Sequence, residues 1–210
     1  MKRSIIFLLL IAFSSPIVLF SQKTAIYNNP DLEYKNALEL FNKEKFGAAQ
    51  KSFINTMNLI SDTQSEMRIK AEYYSAICAI QLFNGDAEQL LLQFARNHSE
   101  SPEIKKVYFE LGKFQYAKKE YEKVVKSFEK IDALDLNDEE KSEYFFKLGY
   151  SNYMTKSLEN AKKAFYEIYE KESKYSAPAN YYYGHIAYSE KNYETALKCF
   201  LKLTKDESFG

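Results

Sequence analysis

The stretch YFELGKFQYAKKEYEKVVKSFEKI, residues 108–131, decides the fold because the chain writes it twice more. It aligns without a gap on FFKLGYSNYMTKSLENAKKAFYEI (145–168) and on NYYYGHIAYSEKNYETALKCFLKL (180–203). In each copy a glycine (Gly112, Gly149, Gly184) is followed nine positions later by Tyr121, Leu158 or Tyr193. Val124, Ala161 or Ala196 comes three further on, and Phe128, Phe165 or Phe200 four beyond that. Such self-similarity marks an array whose units bury their apolar faces on one another.

Each unit reads as two helices. Val107, Leu111 and Phe114 recur at helical spacing; after a polar break (AKKE, TKS or SEKN) Tyr121, Val124, Val125, Phe128 and Ile131 resume it. A mid-helix glycine costs about 1 kcal/mol against alanine. Its recurrence at one place predicts a partner helix too close for a side chain, with the phenylalanine filling the space between units. Asn29-Pro30, Ser101-Pro102 and Ser176-Ala177-Pro178 each set a capping side chain before a first-turn proline.

Two weaker copies come first. YKNALELFNKEKFGAAQKSF (34–53) has Ala37 in the small position, then Phe46, Ala49 and Phe53. YYSAICAIQLFNGDAEQLLLQF (73–94) has Ala76 there, but its second half leaves the register. The small positions are thus 37, 76, 112, 149 and 184, and the expected units span about 30–63, 69–98, 105–138, 142–175 and 177–210. Only 6 glycines and 4 prolines punctuate the chain, which favours long helices over a turn-rich β fold.

Lysine plus arginine equals aspartate plus glutamate at 29 each, so there is no basic field for nucleic acid. Residues 1–21 have the layout of a secretory signal: Lys2 and Arg3, then an apolar run from Ile5 to Phe20 broken by Ser14, Ser15 and Pro16. The run is short for a bilayer span, so cleavage near Gln22 is expected, with an uncleaved anchor as the alternative. Residues 22–29 read as a linker. After cleavage nothing is expected to span a membrane. Cys78 and Cys199 fall in the second and fifth units, too far apart for a disulfide, and read as small buried apolar residues.

No catalytic motif appears, so no enzyme is expected, and no cofactor. His98 is expected in an inter-unit loop and His185 in a helix, which makes a shared metal site improbable. DALDLNDEE (132–140) lacks the glycine and spacing of a calcium loop and reads as a solvated segment with a helix cap at Asn137 or Asp138.

These units resemble tetratricopeptide repeats. Leu111-Gly112…Tyr121…Val124…Phe128, Leu148-Gly149…Leu158…Ala161…Phe165 and Tyr183-Gly184…Tyr193…Ala196…Phe200 carry the resemblance, which covers residues 30–210. Tyr108 and Phe145 stand in the family's tryptophan slot, and its late proline is missing. The resemblance implies an all-α, right-handed α-solenoid of about five helix-turn-helix repeats, working as a non-catalytic scaffold for protein or peptide partners. With its leader the chain also resembles exported tetratricopeptide-repeat proteins of Bacteroidetes, which places it in the periplasm or at the outer membrane.

The family's first helices line a concave groove. By that analogy the groove-facing positions are Tyr34, Tyr73, Phe109, Phe146 and Tyr181, three before the small position. Lys113, Tyr150 and His185 lie one after it, and Phe41, Tyr116, Tyr153 and Tyr188 four after it. The competing reading is that these rings only pack between helices. Apart from Lys113 the slots are aromatic or apolar, which disfavours a clamp for a C-terminal carboxylate and favours an extended or helical segment with apolar anchors. Two other functions stay open: carbohydrate or small-ligand binding in the tyrosine-rich concavity, and a docking arm of a longer protein. Solenoids normally close with a polar terminal helix. None is legible here, so either the chain is expected to continue past 210 or another chain covers the last unit.

Overall fold

The computed structural model describes residues 29–204. The expected leader (1–21) and all but the last residue of the expected linker lie outside them. Among the described residues there are ten α-helices, one short 3-10 turn and no strand. The helices are α1 (Pro30–Asn42), α2 (Phe46–Leu59), α3 (Glu66–Gln81), α4 (Ala87–Asn97) and α5 (Ile104–Ala117). They continue as α6 (Tyr121–Phe128), α7 (Asp138–Met154), α8 (Leu158–Tyr166), α9 (Ser176–Ser189) and α10 (Tyr193–Leu203). The 3-10 turn, Ala133–Asp135, joins α6 to α7.

Each helix packs mainly on the one before it and the one after it. The first helices of successive pairs (α1, α3, α5, α7, α9) also approach one another, more than the second helices do. They therefore line the inner side of the array.

Each pair is closed in the same way. The residue seven after the small position, Glu44, Phe83, Lys119, Lys156 or Lys191, has φ between 53° and 63°. Its N–H donates to the third carbonyl before it, and the next residue's N–H donates to the fifth, at 2.8–3.1 Å in all five turns. This is the Schellman ending of a helix, which satisfies two orphan carbonyls and reverses the chain. Glycine is the usual occupant; here it is three lysines, a glutamate and a phenylalanine.

The glycine positions do what their recurrence predicted. A Cβ on Gly112 would lie 2.1 Å from Phe128 Cε1, one on Gly149 2.7 Å from Phe165 Cε1, and one on Gly184 2.8 Å from Phe200 Cε1. The phenylalanines also reach the next unit. Phe53 stacks on Tyr74 (5.3 Å), Phe165 on Tyr182 (5.7 Å), and Phe128 meets Tyr144 at 4.8 Å. Tyr144 then donates its hydroxyl to the Phe128 carbonyl at 3.3 Å. Four buried clusters follow, each bridging two successive units, so the stack is itself the core.

Several local expectations change. Asn29 caps α1 as expected, accepting from Asp31 and Leu32. Asn137 caps α7 in a reciprocal box with Glu140, which starts that helix at Asp138 rather than near 142. Ser176 is not a cap: it lies inside α9, where its hydroxyl accepts from the Ser173 N–H and bonds the Lys171 carbonyl. Ser101 accepts from Glu103 N–H in a turn ahead of α5. The second unit begins at Glu66, not 69. Its longer turn carries Gly85 and Asp86, so Ala87, Leu91, Phe94 and Ala95 form its buried set. Cys78 and Cys199 are free and buried, and burial pushes the Cys78 thiol up to about 12.

Candidate functional site

The residues three before the small position turn toward their own second helix. Tyr34 meets Phe53 at 5.9 Å, Tyr73 meets Phe94 at 5.8 Å, Phe109 meets Phe128 at 6.0 Å and Phe146 meets Phe165 at 6.2 Å. Phe109 goes furthest: at 4% exposure it is a core residue with no face for a partner. Tyr34, Tyr73 and Phe146 are half-buried, while Tyr181 is exposed and contacts Tyr182 and His185.

The residues four after the small position reach forward. Phe41 meets Tyr74 at 5.1 Å, Tyr116 meets Tyr150 at 5.7 Å, and Tyr153 meets Tyr182 at 5.2 Å. Tyr150 continues to Tyr121 (5.6 Å) and Tyr182 (5.2 Å). The result is a ribbon of half-buried rings across units three to five: Tyr121, Tyr116, Tyr150, Tyr153 and Tyr182. His185, exposed on α9, prolongs it through Tyr181.

Tyr121 and Tyr182 both set their rings edge-on to Tyr150, at 5.6 and 5.2 Å. Burial, reinforced by neighbouring phenols, pushes Tyr182 up to about 12 and raises Tyr116 and Tyr121 as well. The Tyr116, Tyr121 and Tyr182 phenols are therefore neutral donors and acceptors at physiological pH, unsuited to act as bases. Tyr175 is also pushed up to about 12, by burial first and by the nearby Glu143 carboxylate second.

The cations on this face are neutralised. Lys113 pairs with Glu110 at 2.6 Å and lies 4.9 Å over the Phe109 ring. Lys147 pairs with Glu143 at 3.2 Å and lies 4.5 Å over Tyr116. The face thus offers aromatic area, phenol hydroxyls and spent charges, chemistry suited to a partner with apolar anchors and uncharged polar groups.

Tyr182, Tyr121 and Lys147 belong to the ribbon but were missed in the sequence. Tyr74 and Tyr182 share the position two before the small residue, yet the other units hold Lys35, Glu110 and Lys147 there. A slot used aromatically in only two units leaves no row to recognise.

His98 lies between α4 and α5, as expected. It is the residue just after α4, its ring is 4.9 Å from Phe94, and its Nε2 lies 3.0 Å from a Glu72 carboxylate oxygen. A cleft of about 680 Å³ lies beside it, lined by Ile69, Lys70, Asn97, Pro102 and Glu103 among others. Among the described residues no cluster of three metal-ligating side chains occurs, and no helix is long and apolar enough to cross a membrane.

No family model matches the sequence, and no curated protein matches it. Solved structures do match. YrrB, a TPR protein with an unusual peptide-binding site, is similar at a TM-score of 0.66 and 17% identity, covering 90% of this chain and 95% of its own. The MamA RS-1 ArsTM double mutant matches at 0.66 and 13%, covering 84% and 93%. The Podosopora anserina putative kinesin light chain, with nearly identical TPR-like repeats, matches at 0.60 and 11%, covering 86% and 95%. At such identities the likeness is one of fold: this chain folds as a tetratricopeptide-repeat-like solenoid.

Proposed function

We propose that the protein is a non-catalytic protein-protein interaction scaffold of the cell envelope, holding a partner segment along the inner face of units three to five. The observation that carries the reading is the tyrosine ribbon. Five tyrosines lie in sequence on one side of the array, flanked by lysines already neutralised by glutamates. Tyrosine supplies large contact area with few rotatable bonds and a hydrogen-bonding tip, the profile of an interaction hot spot. The peptide-binding site named for YrrB, whose fold is similar, supports the same use. The signal-like layout of residues 1–21 supports export to the periplasm or outer membrane.

The test is capture from periplasmic and membrane fractions by the wild-type protein, followed by the Tyr116→Ala, Tyr150→Ala, Tyr153→Ala variant. Capture by the wild type and its loss in a variant with an unchanged helical spectrum is the expected result. Undiminished capture by the variant would overturn the inner-face assignment. Binding to a glycan array with no protein captured would overturn the scaffold reading.

A further inference from the structure

The helix connections divide between two edges of the array. The turns that close the pairs (43–45, 82–86, 118–120, 155–157 and 190–192) lie on one edge, and the connections between pairs (60–65, 98–103, 129–137 and 167–175) on the other. The second edge holds nine acidic residues against three lysines, the first six lysines against four acidic residues. A chain with no net charge is thus polarised across its width. On the first edge the acids of units three to five are already satisfied: Glu120 pairs with Lys118 and Lys123, and Glu190 bonds Lys162. Lys119, Lys156 and Lys191 are exposed, hold the same left-handed position in successive turns, and make no ion pair among the described residues. In unit one Glu44 stands beside Lys45, and Asp86 is the acid of unit two.

The same edge gathers exposed apolar groups. Among the described residues thirteen large apolar or aromatic side chains are exposed. Six of them, Leu82, Phe83, Met154, Leu158, Tyr188 and Tyr193, lie in these turns or within two residues of them; only Leu134 and Tyr166 stand so near the other connections. Phe83 stands out furthest on this edge. It is 71% exposed, holds φ 53°, a conformation that a bulky side chain resists, and meets Phe114 at 6.1 Å. Met154 and Leu158 flank the turn of Lys156. Tyr188, an expected groove residue, meets Tyr193 across the turn of Lys191, their rings 5.5 Å apart.

We infer that this edge rests on an anionic lipid bilayer, its free lysines among the headgroups and Phe83 in the apolar layer beneath them. The lysines recur once per unit, about 10 Å apart on the scale of packed helices, so a ligand that meets all three is itself extended and negative. A soluble polyanion offers nothing to Leu82, Phe83 or Met154. A bilayer offers both, charge at its surface and an apolar layer below. The same surface repels the acidic edge, which fixes the orientation of the array. Leu134 marks the contrast: it is 83% exposed but set between Asp132 and Asp135, with no free cation to accompany it. No described helix is long and apolar enough to cross a membrane, so the attachment is peripheral. It is independent of the inner-face ribbon.

Flotation with phosphatidylcholine vesicles, with and without phosphatidylglycerol, tests it on the mature chain from Gln22 onward, which keeps every helix. The wild type is expected to float only with the anionic vesicles, and less as salt is added. Lys119→Gly, Lys156→Gly, Lys191→Gly combined should weaken attachment about a hundredfold without loss of helical signal, since glycine suits those turns. The same three lysines changed to glutamine, which keeps most of each stem, should lose as much. The chain has no tryptophan, so Phe83→Trp places a single reporter at the contact. Its emission is expected to shift to the blue with anionic vesicles, and that of Leu134→Trp is not. No flotation of the wild type, equal flotation with both vesicle types, or undiminished flotation of both lysine variants would overturn the inference. So would a blue shift at 134 and not at 83. Attachment to dextran sulfate but not to vesicles would overturn it in favour of a soluble polyanion.

Discussion

Replacing Gly112 with alanine is expected to destabilise the fold although alanine is the better helix former. In an open helix the change would gain about 1 kcal/mol. Here the new Cβ would lie 2.1, 2.5 and 2.9 Å from three carbons of the Phe128 ring, where contact between carbons needs roughly 3.5–4.0 Å. The ring has nowhere to go: Phe128 is fully buried, stacked on Phe109 at 6.0 Å and set against Tyr144 at 4.8 Å. Helix α6 must therefore move, and overpacking of this kind costs about 3 kcal/mol at its upper end. The net loss is about 2 kcal/mol, or roughly 4–8 °C in melting temperature for a chain of this size. Gly149→Ala meets its ring at 2.7 Å and should lose less. Gly184→Ala should lose least, because Phe200 is only partly buried and can yield. Gly47→Ala, with no atom within 4 Å, serves as the control and should be neutral or stabilising. Urea and thermal denaturation followed by circular dichroism would measure all four. A Gly112→Ala protein as stable as the wild type, or a Gly184→Ala protein harmed more than Gly112→Ala, would refute the close-approach argument.

Two further predictions concern the turns and the phenols. Lys119→Gly, Lys156→Gly and Lys191→Gly should each raise stability by about 0.5–1 kcal/mol. The left-handed backbone costs a side-chain-bearing residue about 1–2 kcal/mol, part of which glycine returns through its freer unfolded state; urea midpoints that fall in all three would contradict the turn geometry. Stability should also decline in alkali. Unfolded tyrosines ionise near 10, whereas Tyr175 and Tyr182 hold their protons up to about 12 when folded. Between those values the unfolded chain binds fewer protons, so the contribution complete below about pH 10 is lost as pH climbs toward 12. A phenolate absorbance titration beside the urea midpoints would show it, and tyrosines that all titrate near 10 in the folded protein would count against it.

Much of the fold is legible in the repeat itself. Gly112, Gly149 and Gly184 stand at fixed distances from Phe128, Phe165 and Phe200, and a glycine with no conformational need in mid-helix can only report a close neighbour. The left-handed turns are harder to see. Lysine, glutamate and phenylalanine carry no preference for that conformation; the closing of α5 onto α6, and of its four counterparts, imposes it.

Spacing along the chain determined the helix pairs, their number and the interlocked glycine and phenylalanine, because spacing records the angle at which a side chain leaves its helix. What covers that angle is a different matter. Phe109 and Tyr116 were placed on one groove by the same reasoning, yet Phe109 lies under Phe128 while Tyr116 reaches Tyr150 in the next unit. The crossing of neighbouring helices decides which ring is roofed and which remains open. So it is with the turns, whose lysines and exposed apolar groups are scattered along the sequence. Only in three dimensions do Phe83, Met154 and Tyr188 stand on one edge with Lys119, Lys156 and Lys191.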